Sequence, residues 1–373
     1  MTSGQRLPAL LTPLDGALAA LLRGLEPSAV IELPLSEALG CMTAEPPSLT
    51  AFPPHDVAAV DGWPLRASDL VGASSYTPVP LMMPPVWVEA GDRIPSGCDC
   101  VIDADSIEEV GSVIQVLTEA IPGQGVRRAG GHIADGFVAA SGSRFRPLDL
   151  LAARSAGLEK IRVRRPRLRI VNVPASNGDV TTAQLIGETA RSVGADVVYA
   201  EAASRDAASI AKALDATACD LLVISGGSGV GRTDAAVLAL AQCGEVVAHG
   251  IALQPGRTSA IGRIGKTPVI AVSGSADQAL AAWWTLALPV LDRLSGRQSR
   301  KITILPLARK LASSVGIADV ALLGREDDRW VPLAVGDLPF ETLVSAEAWL
   351  VVPDGSEGFA AGTPVGAYLL KEE

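Results

Sequence analysis

The segment Asp220–Asp234 reads D-L-L-V-I-S-G-G-S-G-V-G-R-T-D and admits few folds. Its apolar run Leu221–Ile224 has the length and β-branched content of a buried parallel strand. The run breaks into Ser225, Gly226, Gly227, Ser228, Gly229, Val230 and Gly231, and a helical pattern follows over Ala235–Ala241, closed by Cys243 and Gly244. Glycines at such a turn let a ligand approach the backbone amides closely, and the following helix directs its positive end there. The pattern predicts an anion cradle, with phosphate as the usual anion. Glycines placed at such a turn for packing alone are the competing reading.

Two nucleotide motifs come close and fail. Gly226 and Gly231 are followed by Arg232 and Thr233, so the phosphate-loop pattern lacks only its lysine. Arginine keeps the charge without the compact ammonium. The dinucleotide pattern G-x-G-x-x-G is replaced here by G-x-G-x-G.

A chain of 373 residues exceeds one ordinary core and predicts two to four domains. Its net charge of −10 argues against nucleic acid as a partner. The basic run Arg162–Arg169 is short and reads as a solvated linker beside a strand edge. Cys41, Cys98, Cys100, Cys219 and Cys243 lack C-x-x-C spacing, and with only His55, His132 and His249 they make a zinc site improbable. The thiols fit a reducing cytosol, the first residues lack the features of a signal peptide, and the apolar run Ala279–Leu291 is too short to span a bilayer. The expectation is a cytoplasmic protein with no membrane partner.

Thr12-Pro13-Leu14-Asp15 reads as a capped helix start, the helix running to about Gly24. Proline pairs crowd Ala44–Pro85, and short alternating segments continue a β-rich lobe to about Ser141. Pro147–Gly157 is a helical pattern with Leu148, Leu150, Leu151 and Ala153 on its apolar face. From Arg167 strands and helices alternate: strands at Arg167–Val173, Asp196–Ala200, Leu221–Ile224 and Val269–Val272, helices at Thr182–Val193, Ala207–Leu214, Asp234–Cys243 and Asp277–Leu294. That pattern is a doubly wound parallel α/β sheet. Short strands with turn glycines over Lys301–Glu373 predict a small C-terminal β domain.

Several segments together resemble one family. They are F-P-P-H-D-V-A-A-V-D-G-W (Phe52–Trp63), A-G-D-R-I-P-S-G-C-D-C-V-I (Ala90–Ile102), R-R-A-G-G-H-I-A-D-G (Arg127–Gly136), the glycine segment, L-Q-P-G-R-T-S-A-I-G (Leu253–Gly262) and the tail V-P-D-G-S-E-G-F-A-A-G-T-P-V. Their order and spacing resemble the molybdopterin molybdenumtransferases, the molybdenum insertases that include the gephyrin E domain. The resemblance implies a multidomain α/β homodimer. Residues 1–43 and 142–165 would form a helical connector, 44–141 the β-rich lobe, 166–298 the molybdopterin-binding α/β domain, and 299–373 the C-terminal β domain. It also implies that adenylated molybdopterin is hydrolysed with Mg²⁺ and that molybdate is inserted, at a site between the α/β domain of one subunit and the lobe of the other. Molybdopterin-pathway proteins or a molybdoenzyme would be partners.

Carried over residue by residue, Asp61 matches the acid of the family's S-x-D-G-Y-A pattern, and Asp234 the acid after the glycine loop. Both are candidate catalytic residues and metal ligands. Ser225, Gly226, Gly227, Ser228, Gly229, Gly231, Pro255, Gly256, Arg257, Gly274 and Ser275 are the candidate cofactor-binding residues. Other family groups are replaced. The T-G of T-G-A-x-x-P becomes Ala90-Gly91, and G-E-D-I becomes Gly130-Gly131-His132-Ile133. T-G-D-E-L becomes Val173-Pro174-Ala175-Ser176-Asn177, P-G-N-P becomes Ser273-Gly274-Ser275-Ala276, and K-P-G-K becomes Gln254-Pro255-Gly256-Arg257. Mg²⁺ needs oxygen ligands and molybdate needs donors, so these losses weaken both. His132 is a candidate replacement ligand, as are Asp179, Asp206 and Asp277. The open readings are an insertase with a drifted site, a non-catalytic molybdopterin carrier or scaffold, a phosphate-loop-like nucleotide hydrolase, and a partner-binding scaffold without ligand.

Overall fold

The computed structural model describes residues 5–138, 144–175, 178–297 and 299–370. Ser176, Asn177 and the expected lobe end at Ser141 lie outside the described residues. Along the chain come helices α1 (Leu14–Leu22) and α2 (Pro147–Ser155), then β1 (Arg167–Asn172), α3 (Thr181–Ser192), β2 (Asp196–Glu201) and α4 (Ala207–Ala213). They are followed by β3 (Leu221–Ser225), α5 (Ala236–Cys243), β4 (Glu245–His249), β5 (Ile251–Gln254), β6 (Ala260–Ile264), β7 (Thr267–Val272), α6 (Ala276–Ala282) and α7 (Leu288–Ser295).

Strands β2-β1-β3-β7 form the parallel core of a six-stranded sheet, and β6 and β4 continue it antiparallel. The two-residue alternation of a strand sends Leu168, Ile170, Leu221 and Val223 to one face, where α1, α3, α6 and α7 cover them. It sends Val171, Leu222 and Ile224 to the other, against Ile210 of α4 and Ala236, Ala239 and Leu240 of α5. The doubly wound core is therefore a three-layer sandwich with an antiparallel edge.

The pattern read as one helix, Asp277–Leu294, is helical throughout but opens into a π-turn at Trp283–Ala287. Pro289 explains the place. It has no N–H to donate and its ring crowds the carbonyl four residues back, so the preceding turn widens.

Thr12 does not cap α1. It pairs with Pro13 in parallel to Ile251 and Ala252, its amide donating to the Gly250 carbonyl at 3.0 Å, and α1 starts at Leu14 without a side-chain cap. Leu14, Ala17 and Leu21 of α1 join the α/β core, whereas α2 packs with the small sheet of Val30–Pro34, Lys160–Arg164 and Met42–Thr43. On α2 only Leu150 and Ala153 are buried; Leu148 and Leu151 face outward.

The lobe between α1 and α2 is built of short antiparallel strands, among them Ser74–Pro80, Ile107–Val110 and Val113–Thr118. The C-terminal sheet of Thr303–Pro306, Ala318–Glu326, Arg329–Val335, Ala348–Val352 and Pro364–Leu369 is extended by β5, which lies parallel to Ala318–Glu326. The α/β and C-terminal domains thus share strand pairing and core.

Candidate functional site

β1 connects to β2 on one side and is paired with β3 on the other, which makes their carboxyl ends a topological switch point. Asn172, Ser225 and Val272 stand in register there. The turns that follow enclose a cleft of about 150 Å³ lined by Asn172, Asp179, Thr182, Arg205, Ser225, Gly226, Gly227, Gly229, Asp234 and Gly274, among others. Ligand pockets usually measure about 300–1,000 Å³. This one suits a phosphate-sized group, with the rest of a larger ligand lying across its rim. A second cavity, of about 780 Å³, lies between α3, α6, α7 and the C-terminal domain. Its walls are mainly apolar, with Trp283, Trp284, Leu343 and Trp349, so the smaller polar cleft is the better anion site.

The glycines of the loop act in two ways. Gly226 and Gly227 adopt φ of +95° and +70°, which other residues rarely reach. Gly229 and Gly231 make room: a Cβ would fall 2.6 Å and 2.9 Å from Asp234 Oδ2. The loop is folded around the Asp234 carboxylate.

That carboxylate accepts a hydrogen bond on each oxygen. Its Oδ1 accepts from Arg205 Nη2 at 2.9 Å and its Oδ2 from the Gly231 amide at 2.9 Å. Arg205 is anchored further, Nε donating to Thr233 Oγ1 at 3.1 Å and Nη1 to the Pro174 carbonyl at 2.9 Å. One guanidinium thus ties the turn after β1 to the turn after β3. Sequence reasoning passed over Arg205. The available signal was its place in the loop after β2, on the same rim as the glycine loop.

Gln5 was also missed. It is 7% exposed and donates from Nε2 to the carbonyls of Gly227 at 3.0 Å and Gly229 at 2.8 Å. Its Oε1 accepts from the amides of Val237 at 2.8 Å and Leu238 at 3.3 Å. The first turn of α5, expected to face an anion, is therefore capped by a side chain more than 220 residues distant. Nothing in a local sequence pattern signals such a contact.

Ser228 is buried with its carbonyl 3.0 Å from His249 Nε2, and Ser275 bonds through its hydroxyl to Asp277; neither lines the cleft, nor does Gly231. Pro255, Gly256 and Arg257 form the turn between β5 and β6, where Gly256 packs against Leu253 and the Gln278 carbonyl, and Arg257 is exposed. They do not line the cleft either.

Asp61 is exposed in the lobe, its Oδ1 accepting from the Ala90 amide at 2.7 Å, and is absent from the cleft wall. His132 stacks on Phe52 with ring centroids 6.0 Å apart, and its Nε2 faces the Arg127 guanidinium. Asp206 caps α4, accepting from the Ser209 amide at 3.0 Å, and hydrogen bonds from Ser204 and Ser209 hold its carboxyl below the usual range. Asp179 does line the cleft, and its Oδ1 accepts from Thr181 Oγ1 at 2.5 Å and the Thr181 amide at 2.9 Å, which lowers its pKa.

Within one chain the donor set does not fit a divalent cation. Among the described residues no three His, Cys, Asp or Glu side chains gather to hold a metal. A dication on Asp234 would share that carboxylate with the Arg205 guanidinium, and the two positive charges repel. Among the described residues no helix is long and apolar enough to cross a membrane.

Residues 12–157 match the family model described as "MoeA N-terminal region (domain I and II)", and residues 175–293 the one described as "Probable molybdopterin binding domain". A molybdopterin molybdenumtransferase of Synechococcus elongatus is 25% identical over 384 residues, covering 91% of this chain and 94% of its own. Molybdopterin molybdenumtransferase 2 of Mycobacterium tuberculosis is 26% identical over 312 residues, 71% of this chain and 75% of its own. The crystal structure of a molybdopterin biosynthesis MoeA protein from Pyrococcus horikoshii superposes with a TM-score of 0.66 at 26% identity, over 97% of this chain and 100% of that one. The order of domains, the switch-point cleft and these matches agree: the chain belongs to the molybdopterin molybdenumtransferase family of molybdenum cofactor biosynthesis.

Proposed function

We propose that this protein binds molybdopterin, free or adenylated, with its phosphate end in the cleft above β1 and β3, and that molybdate insertion is slow or absent. The observation that carries the binding half is the glycine-walled cleft at the switch point, of phosphate size and lined by Arg205 and Asn172. Within it Thr182 Oγ1 donates to the Gly274 carbonyl at 2.7 Å, which fixes the turn after β7 against α3.

The second half rests on the engaged acid. Hydrolysing an adenylate requires charge neutralisation at the phosphate and an activated water. Asp234, held by Arg205 and the Gly231 amide, is poorly placed to serve either through a metal. This favours the carrier reading, in which the protein holds molybdopterin for another component of the pathway. A cytoplasmic place goes with that reading and is supported by five unpaired cysteines. So does a homodimer whose second subunit brings Asp61 toward the cleft.

The test is a titration of the purified protein with molybdopterin and with its adenylated form, followed by molybdate and Mg²⁺. The expected result is binding of both forms with little release of adenylate. Rapid molybdate-dependent release would restore the full insertase, and no binding of either form would remove the proposal.

A further inference from the structure

We propose that Arg205 is the resident cation of this cleft, receiving the ligand's phosphate together with Asn172 in place of a divalent metal. The inference rests on the proposed binding function and deepens it by naming the groups that take the anion. Two independent observations support it.

The first is the way Arg205 is held. Its three nitrogens each have a protein acceptor, at Thr233, Pro174 and Asp234. A guanidinium has five N–H groups, so two remain to donate. The side chain lines the cleft, and its charge is fixed in place by three contacts, with one N–H of Nη1 and one of Nη2 left for a phosphate. Asp234, pinned from the other side by the Gly231 amide, positions the guanidinium rather than a metal.

The second observation is Asn172. It sits at the end of β1 on the cleft wall, 8% exposed, and its amide nitrogen is buried without a partner. A buried unpaired donor is costly and is usually retained for a ligand or water. Asn172 lines the cleft, so a small turn of its amide would present this donor to the phosphate oxygens that Arg205 attracts. Metal and guanidinium are alternatives at one acid, and this chain's geometry has taken the guanidinium.

The experiment uses the full chain and two probes. Molybdopterin binding is followed by pterin fluorescence, once with Mg²⁺ and once with EDTA. Inorganic phosphate binding is followed by ³¹P line broadening. The wild-type affinity for molybdopterin is expected to agree within about twofold in the two media. Arg205→Gln should weaken both probes about tenfold or more, with Arg205→Lys recovering part of the loss. Asn172→Asp is isosteric and sets an anion against the phosphate; it should weaken both probes comparably. Circular dichroism checks that the variants remain folded. Binding that tightens tenfold or more with Mg²⁺, or wild-type affinity in both Arg205→Gln and Asn172→Asp, overturns the inference. Phosphate binding that depends on Arg205 while molybdopterin does not bind would keep the cation and remove the pterin reading. Failure of the wild type to bind phosphate and molybdopterin alike overturns both.

Discussion

Gly229 carries a constraint that concerns space rather than backbone freedom. Alanine there would place its Cβ 2.6 Å from Asp234 Oδ2 and force the carboxylate away from Arg205. Gly229→Ala should therefore lower molybdopterin affinity about tenfold, about 1.4 kcal/mol, with little change in the urea midpoint. Gln5 belongs to stability instead. Gln5→Ala leaves two glycine carbonyls and two helix amides without their partner, and should cost about 1–3 kcal/mol in chemical denaturation. Asp206 gives a pH signature. Hydrogen bonds from the Ser204 hydroxyl and from Ser209 depress its folded pKa. Its contribution is thus fully present above the unfolded carboxylate value of about 4, and is lost as pH falls through the depressed one. Asp206→Asn keeps an acceptor at the cap and should flatten this part of the acid limb, read as urea midpoints at pH values from neutral to strongly acid.

The elements divide sharply in how legible they were. β1 and β3 are continuous apolar runs bounded by turn residues, and α3 and α4 follow at regular spacing, so the doubly wound core could be read from pattern alone. β4 and β6 were not read, because a short antiparallel edge has no helix to announce it. β5 was read as part of a binding segment, yet its Leu253 and Gln254 pair with Ala318 and Asp319 of the C-terminal sheet. At the site, Asp234 and the glycine loop were visible because they are consecutive. Arg205 and Gln5 were not, because each acts across the fold. The shared strand has a measurable consequence. Trp284 of the helix stacks on Trp349 of the C-terminal sheet at 5.0 Å, and Trp349 on Tyr368 at 4.8 Å. The two domains should therefore unfold in a single calorimetric transition. Trp349→Ala should lower that transition by about 3–5 kcal/mol or split it in two.

At the scale of the whole molecule, the proposed homodimer is what would bring Asp61 to the cleft. Within one chain it serves the lobe, accepting the Ala90 amide at 2.7 Å, and does not line the cleft. The proposed homodimer predicts a sedimenting species near twice 38.3 kDa at micromolar concentration. A monomer throughout that range would leave Asp61 with its local role alone. In the dimer, a metal-dependent insertase needs that acid, and removing it should abolish adenylate release. The arrangement around Asp234 points the other way, since the charge available to bind a dication is already neutralised by Arg205. Asp61→Ala should then leave molybdopterin affinity within about twofold of wild type, with or without Mg²⁺. Loss of the Ala90 contact, on an exposed turn, should cost no more than about 1 kcal/mol. Equilibrium binding on the variant, paired with adenylate release on the parent, separates the two cases. Strong release abolished by Asp61→Ala would mean that the partner's acid reassembles a metal site in spite of the guanidinium.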